Sequence, residues 1–281
     1  MNKFGKYSLM TSLAVLLTLS TNAFVKPKIT NADSLGDQSV MALDWYQTSA
    51  ESKALYLQAY NVAKNNLNQD LQNPANKPTA IILDIDETVL DNSPYEAYAA
   101  LHGACFPKFW NKWINSAQAK PVPGVKDFLN YANSKGVQIY YISNRSTNQL
   151  KATQKDLQNH GLPQATKSHI LLKTKSEKDK VSRRKQVEQN NNVVMFFGDS
   201  LTDFNNPSKP TISSRYSDVE QNANKFGEQY IVLPNPMYGG WESAIYGKDN
   251  NRNDKGTLRK DHLTVFNPST DKVKVKTVTE K

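Results

Sequence analysis

Cysteine is nearly absent from this 281-residue sequence: Cys105 stands alone, so no intramolecular disulfide can form and a packed core must carry stability. Histidine is scarce too, with His102, His160, His169 and His262 at spacings that suit no transition-metal site. His160 and His169 read as surface or helix-end residues. No Walker-type glycine loop and no internal repeat occur. Long apolar runs are missing as well, and the stretch from Leu9 to Leu19 is too short for a typical membrane span. With Lys3 and Lys6 before it and Thr21-Asn22-Ala23 and Thr30-Asn31-Ala32 after it, this stretch reads as a secretory signal peptide over residues 1–32, either small-residue site being open to cleavage. No cysteine near it offers a lipid attachment point. The expectation is an exported protein with no stable membrane span after processing, extracellular or loosely held at the cell wall.

An acidic excess is likewise lacking. The formal charge is +9, and because residues 1–32 hold four lysines and no acid, the remaining chain carries +5. That balance suits anionic substrates or a polyanionic surface. No basic motif interleaved with aromatics is present, so no specific nucleic-acid partner is expected, and nothing in the pattern specifies an oligomer.

What the chain does have is an alternation of apolar runs and amphipathic stretches. Thr48 to Leu71 reads as one helix, with Thr48 and Glu51 spaced as a capping box and Tyr56, Tyr60, Ala63, Leu67 and Leu71 on one face. Asn73-Pro74-Ala75-Asn76-Lys77-Pro78 stops it before the apolar run Ala80-Ile81-Ile82-Leu83. Strands are then expected at Val137–Ile142, Ile170–Leu172, Val193–Phe197 and Tyr230–Leu233. Helices between them close at Gly136 and Gly161, a basic helix runs from about Lys178 to Asn190, and Tyr216, Val219, Ala223 and Phe226 mark another amphipathic helix. Such alternation implies an α/β fold with a parallel sheet covered on both faces. An aromatic-rich insertion from Asn92 to Lys120 interrupts it just after the first strand, where it is placed to act as a cap. The expected organisation is a domain over residues 33–248, with a core of about 76–235 and a cap from about 36–75, 92–120 and the residues after 235. A polar tail follows over 249–281.

The first apolar run ends in Asp84-Ile85-Asp86, two acids separated by one residue. Open α/β sheets bind ligands at the carboxyl ends of their strands. Two carboxylates brought together there repel, and a cation or a proton relieves the repulsion. A bare Asp-x-Asp also occurs as a solvated turn or a Ca²⁺ site. Ser143 and Asp199 each follow a later apolar run directly, which in a parallel sheet puts all of these groups along one edge.

Asp84 to Tyr95, reading Asp-Ile-Asp-Glu-Thr-Val-Leu-Asp-Asn-Ser-Pro-Tyr, resembles the first signature of the haloacid dehalogenase superfamily, in particular that of bacterial class C acid phosphatases. Val194 to Phe204 resembles a second signature, with Ser200 where that family usually has Asn or Thr. The resemblance runs roughly from Trp45 to Trp241. It implies a haloacid-dehalogenase-like, Rossmannoid α/β fold with a small, mostly helical cap. It also implies roles: Asp84 attacks phosphorus, and Asp86 acts as acid and base. Ser143-Asn144-Arg145 resembles the motif whose hydroxyl and following backbone N–H bind phosphoryl oxygens. Lys180 resembles the lysine that neutralises phosphate and nucleophile, with Lys173, Lys175, Lys178 and Lys185 as nearby substitutes. Mg²⁺ is expected on the Asp84 carboxylate, the Asp86 carbonyl and Asp199, with Asp203 supporting the metal or Lys180 from behind. Asn235 to Trp241 resembles a segment that class C enzymes place beside the substrate, so Tyr238 with Trp110 or Trp113 is expected to clamp a nucleobase or aryl group.

Competing phosphatase chemistries find no support. There is no Arg-His-Gly for a phosphohistidine route, and the residue six after Cys105 is Asn111 rather than the Arg that a cysteine-dependent enzyme needs. The expectation is an exported Mg²⁺-dependent acid phosphatase acting on small phosphomonoesters, nucleoside 5′-monophosphates included, through an aspartyl-phosphate. Phosphotransfer to other alcohols is an alternative on the same scaffold. So is an inactive surface-binding protein, although the presence of both Asp84 and Asp86 speaks against it.

Overall fold

The run Thr79–Leu83 forms the central strand of a five-stranded sheet, because its four buried residues leave no face for water. The computed structural model describes residues 34–73, 75–205, 211–247, 253–270 and 272–274. The expected signal peptide and both of its Thr-Asn-Ala sites lie outside the described residues. Across the sheet the strands are Ile170–Lys173, Gln138–Ser146, Thr79–Leu83, Asn192–Gly198 and Tyr230–Val232. Every pairing among them is parallel. Alternate residues of the central strand serve opposite faces: Ile81 and Leu83 join the larger core with Tyr60, Leu67, Phe128 and Leu129, while Ile82 joins a smaller one with Ile142, Val187 and Phe196. Helices Val125–Ser134 and Leu150–Asn159 end before Gly136 and Gly161, whose φ values of 76° and 65° are open to glycine without strain.

The expected helix from Thr48 to Leu71 is two helices, Leu35–Thr48 and Ala50–Asp70. Ser49, not Thr48, is the cap of the second: it is extended at ψ 137°, and its hydroxyl accepts from Ser52 N at 3.0 Å. Thr48 instead turns its hydroxyl back to the Asp44 carbonyl at 2.6 Å. The earlier helix begins at a capping box of Ser34 and Asp37. The insertion departs from Leu90–Asp91 and returns through Lys120–Pro121, which pair antiparallel. Between them stand helices Ser93–Leu101 and Trp110–Ser116. The amphipathic reading near Tyr216 is corrected: helix Ile212–Gln221 buries no residue, and Tyr216 and Val219 are exposed. Part of the expected polar tail has structure, in helix Lys255–Asp261 and the paired strands Val265–Asn267 and Lys272–Lys274. No helix among the described residues is long and apolar enough to cross a membrane.

Leu67 lies fully buried on helix Ala50–Asp70, where it packs that helix on the sheet. Leu67→Ala is expected to cost about 2–5 kcal/mol. Urea titration should show this as a lower midpoint with an unchanged slope.

Candidate active site

The central strand stops at Leu83, and the backbone N–H of Asp84 makes one last cross-strand bond to the Phe197 carbonyl at 3.0 Å. The chain then closes a tight loop in which the N–H groups of Val89 and Leu90 both reach the Ile85 carbonyl at 2.8 Å. Glu87 sits inside it at a left-handed φ of 58°. This turn out of the sheet brings the Asp84 and Asp86 carboxyls into one crevice with Asp199 and Asp203.

Asp84 and Asp86 have different partners. Asp84 receives the Lys180 ammonium, which also binds Asp203 Oδ1 at 2.6 Å. Among the neighbouring lysines, it is Lys180 that is buried here. Asp86 Oδ1 is held by Arg145 through Nε at 2.9 Å and the terminal nitrogen at 2.8 Å, and by Asn92 Nδ2 at 2.8 Å. Its Oδ2 accepts from the Ser143 hydroxyl at 3.2 Å. Ser143 is fully buried, and its Oγ also accepts from Arg145 N at 3.1 Å. Exposed Asn144 lines the crevice directly. Asp199 accepts from Asn235 Nδ2 at 2.8 Å and faces the Thr88 hydroxyl at 3.4 Å.

Gly198 makes the Asp203 contact possible. A Cβ at Gly198 would lie 2.3 Å from Asp203 Cβ, so a side chain there would displace the carboxylate from Lys180. The Ser200 position is also settled: its N–H donates to Asp203 Oδ2 at 3.0 Å, and its hydroxyl pairs with that of Thr202 at 3.2 Å.

Several residues that shape the site were not singled out from the sequence. Arg145 and Asn92 orient Asp86, Asn235 orients Asp199, and buried Glu87 accepts from Asn92 N at 2.8 Å and from the Tyr238 hydroxyl. The basic helix is not simply solvated. Arg183 is buried with its guanidinium on the Ser143 and Leu171 carbonyls at 2.6 and 3.1 Å, and Arg184 reaches the Thr202 carbonyl at 2.7 Å. Buried carbonyls need donors, and these arginines supply them to two strands and to the turn Leu201–Asp203. Lone arginines in a basic run give no sequence sign of this.

The crevice opens into a cleft of about 360 Å³ whose outer wall includes Phe106, Trp110, Tyr238, Gly239 and Gly240. Trp110 and Tyr238 thus line the cleft that holds the acids. Trp113 is corrected: it is not among the lining residues, and its indole N–H donates to Asn92 Oδ1 at 2.8 Å, which aims the Asn92 amide at Asp86.

Oxygen atoms of Asp84, Asp199 and Asp203 lie within 4.8 Å of one another. A hard divalent cation prefers such an all-carboxylate set. Burial, reinforced by Asp203, pushes Asp199 from 3.8 up to about 7. Burial also holds Asp84 well above its ordinary range, with Lys180 opposing and the other three acids adding to the push. For Lys180, burial alone would lower the ammonium, but Asp203 and Asp84 hold it above its usual value. The acids thus outnumber the nearby bases, and a cation on the three carboxylates fits both the donors and the charge.

A family model described as HAD superfamily, subfamily IIIB (acid phosphatase), matches residues 6–241. The crystal structure of a class C acid phosphatase from Bacillus anthracis with tungstate bound is similar, at a TM-score of 0.81 and 48% identity, over 83% of this chain and 99% of that one. A second structure of the class C acid phosphatase from Bacillus anthracis gives a TM-score of 0.80 at 48% identity, with 83% and 99% covered. Two curated proteins of Glycine max, the stem 28 kDa and stem 31 kDa glycoproteins, are each 27% identical over 169 residues, 56% of this chain. The match spans 62% and 54% of their own lengths.

The raised carboxyls set a pH dependence. In the cation-free protein the native state binds more protons than the unfolded chain between the ordinary value of 3.8 and the value of about 7 reached by Asp199. Stability is then greatest below that window and falls as pH rises through it. Melting temperature in the presence of a chelator should drop from about pH 5 to about pH 7.5, and added Mg²⁺ should restore more of it at the higher pH. A melting temperature that climbs across this window in chelator would contradict the assignment.

Proposed function

The chain belongs to the HAD superfamily, subfamily IIIB, the acid phosphatases, and from that premise we propose that it hydrolyses small phosphomonoesters with Mg²⁺ as cofactor. The observation that carries this reading is the unequal pairing of the two acids, Asp84 with a buried ammonium and Asp86 with one oxygen pinned and the other facing a hydroxyl. The Bacillus anthracis relative has tungstate bound. An oxyanion is what this chain is expected to hold in the crevice of Asp84 and Asp86.

Asp84 attacks phosphorus, an oxygen–phosphorus bond forms, and the bond to the ester oxygen breaks. Lys180 keeps the attacking carboxylate oriented and offsets charge on the phosphoryl oxygens. Asp86 delivers a proton from Oδ2 to the departing alkoxide, its Oδ1 being fixed by Arg145 and Asn92. In the second displacement Asp86 takes a proton from the attacking water, the aspartyl–phosphate bond breaks, and inorganic phosphate leaves. The Ser143 hydroxyl can donate to Oδ2 when it is charged and accept from it when it is protonated. Asp84, Asp199 and the Asp86 carbonyl would hold Mg²⁺, with Asp203 in reach, and the cation supplies charge neutralisation between an anionic nucleophile and a dianionic phosphate.

We extend the reading to nucleoside 5′-monophosphates, because the flat rings of Trp110 and Tyr238 line the cleft beyond the acids. Export rests on the apolar stretch Leu9 to Leu19 behind Lys3 and Lys6.

Asp84→Asn should abolish turnover of a chromogenic aryl phosphate while leaving the melting temperature near that of wild type, since an amide has the carboxylate's shape but is no nucleophile. A chelator should silence the wild type reversibly, with Mg²⁺ restoring it. Activity of the variant within about tenfold of wild type would remove Asp84 from the nucleophile's role.

Asp86→Asn should slow alkyl phosphates, which leave as strong bases, far more than activated aryl phosphates. A leaving-group series measured on both proteins checks this. Equal losses across the series would argue against proton donation by Asp86.

A further inference from the structure

Glu96 stands in the first turn of helix Ser93–Leu101, half-buried, with its carboxyl on the same cleft as Asp84 and Asp86. The mechanism has no use for it. The charged groups that bear on it among the described residues are both acids, Glu242 and Asp86, and together with burial they push its carboxyl from 4.5 to about 7. Glu242 has its own partners in Arg259 and the Tyr246 hydroxyl. Arg215, whose guanidinium lies against Gly240, has Asp218 as the acid that bears on it. Among the described residues, Glu96 has no cation of its own.

The charges around the cleft point the same way. Five carboxylates line it, Asp84, Asp86, Glu96, Asp199 and Asp203, while the bases in contact with them are Arg145 and Lys180. Of the five, Glu96 is the one that neither pairs with Lys180 or Arg145 nor belongs to the three clustered carboxylates. Around it the wall is aromatic, with Phe106, Trp110 and Tyr238. A carboxylate among ring faces attracts a weakly hydrated organic cation through both its charge and the ring quadrupoles.

We propose that Glu96 makes this cleft selective for phosphomonoesters whose alcohol carries a positively charged nitrogen, an inference that rests on the phosphatase reading above. Glu96 acts here as a specificity-determining residue. It offsets the cation of the alcohol portion while Asp84 and Lys180 engage the phosphate.

Choline phosphate and 3,3-dimethylbutyl phosphate test this, because they share a shape and differ in replacing the charged nitrogen with carbon. The intrinsic difference in leaving group cancels when the ratio of their kcat/KM values in wild type is divided by the same ratio in Glu96→Gln. We expect that quotient to be about tenfold, carried mainly in KM. A quotient near one, with both esters hydrolysed, overturns the inference and leaves the phosphatase reading intact. Hydrolysis of neither ester by the Mg²⁺-supplemented wild type, together with inactivity on an aryl phosphate, overturns the phosphatase reading and this inference with it. A second measurement does not depend on the variant's folding: choline should inhibit wild-type hydrolysis of an aryl phosphate more tightly than 3,3-dimethylbutanol does. Equal inhibition by the two alcohols would count against a role for Glu96.

Discussion

The ammonium of Lys180, enclosed between the carboxylates of Asp84 and Asp203, is the contact on which the rest of the site depends. Removing a charge of this kind from water costs several kcal/mol, which the ammonium offsets by pairing with carboxylates on two sides. The three groups come from separate places in the chain: the end of the central strand, the start of helix Val181–Asn190 and the short turn Leu201–Asp203. The parallel sheet brings these places together because every strand in it ends at the same edge. Gly198 then decides how closely the turn folds back, since any side chain there would occupy the space of Asp203. Fold and charge are therefore one constraint at this point.

Asp86 is governed by a different set of contacts. Its loop is fixed from below, where the Tyr56 hydroxyl donates to the Glu87 carbonyl at 2.7 Å and that of Tyr60 to the Thr88 carbonyl at 2.6 Å. From above, Trp113 aims Asn92, and Asn92 in turn binds both Asp86 and Glu87. A non-glycine residue in the left-handed region costs on the order of 1–3 kcal/mol, and Glu87 is held there by bonds from several elements at once. Tyr238 closes the same network from the cleft wall through its hydroxyl on Glu87. Its ring and its hydroxyl thus serve different ends: one faces the cleft, and the other stiffens the loop that carries the acid.

The sheet and its edge were legible because buried strands must be apolar throughout, and the polar residue that ends each run has only one place to stand. Asp84, Ser143 and Asp199 were read as candidates on that ground. Less legible were residues whose work is done by hydrogen bonding at a distance. Arg145 ends a motif read for its hydroxyl and Arg183 sits in a basic run, and only the fold shows that one faces a carboxylate and the other the carbonyls of two neighbouring strands. Trp110 and Trp113 stayed alternatives because an aromatic in an insertion reads the same whether its ring meets a ligand or its indole N–H meets an amide. Helix Leu35–Thr48 escaped because its apolar positions are weakly periodic, although the spacing of Ser34 and Asp37 was a usable signal.

The outer wall is set in a different way from the inner acids. Arg259, in the part of the chain that composition marked as a polar tail, bonds the Tyr246 hydroxyl at 2.7 Å, Glu242, the Leu35 carbonyl at 3.3 Å and the Ser39 hydroxyl at 3.4 Å. One guanidinium so ties helices Leu35–Thr48 and Lys255–Asp261 to helix Gly240–Tyr246, whose first turn carries the Gly240 wall of the cleft. These are partly exposed charge contacts, which salt screens and water competes for, whereas the acids at the strand ends are held by buried pairs and by the sheet itself. The groups that perform chemistry are fixed by the least yielding parts of the fold. The surface that meets the variable portion of a substrate hangs on contacts weak enough to adjust.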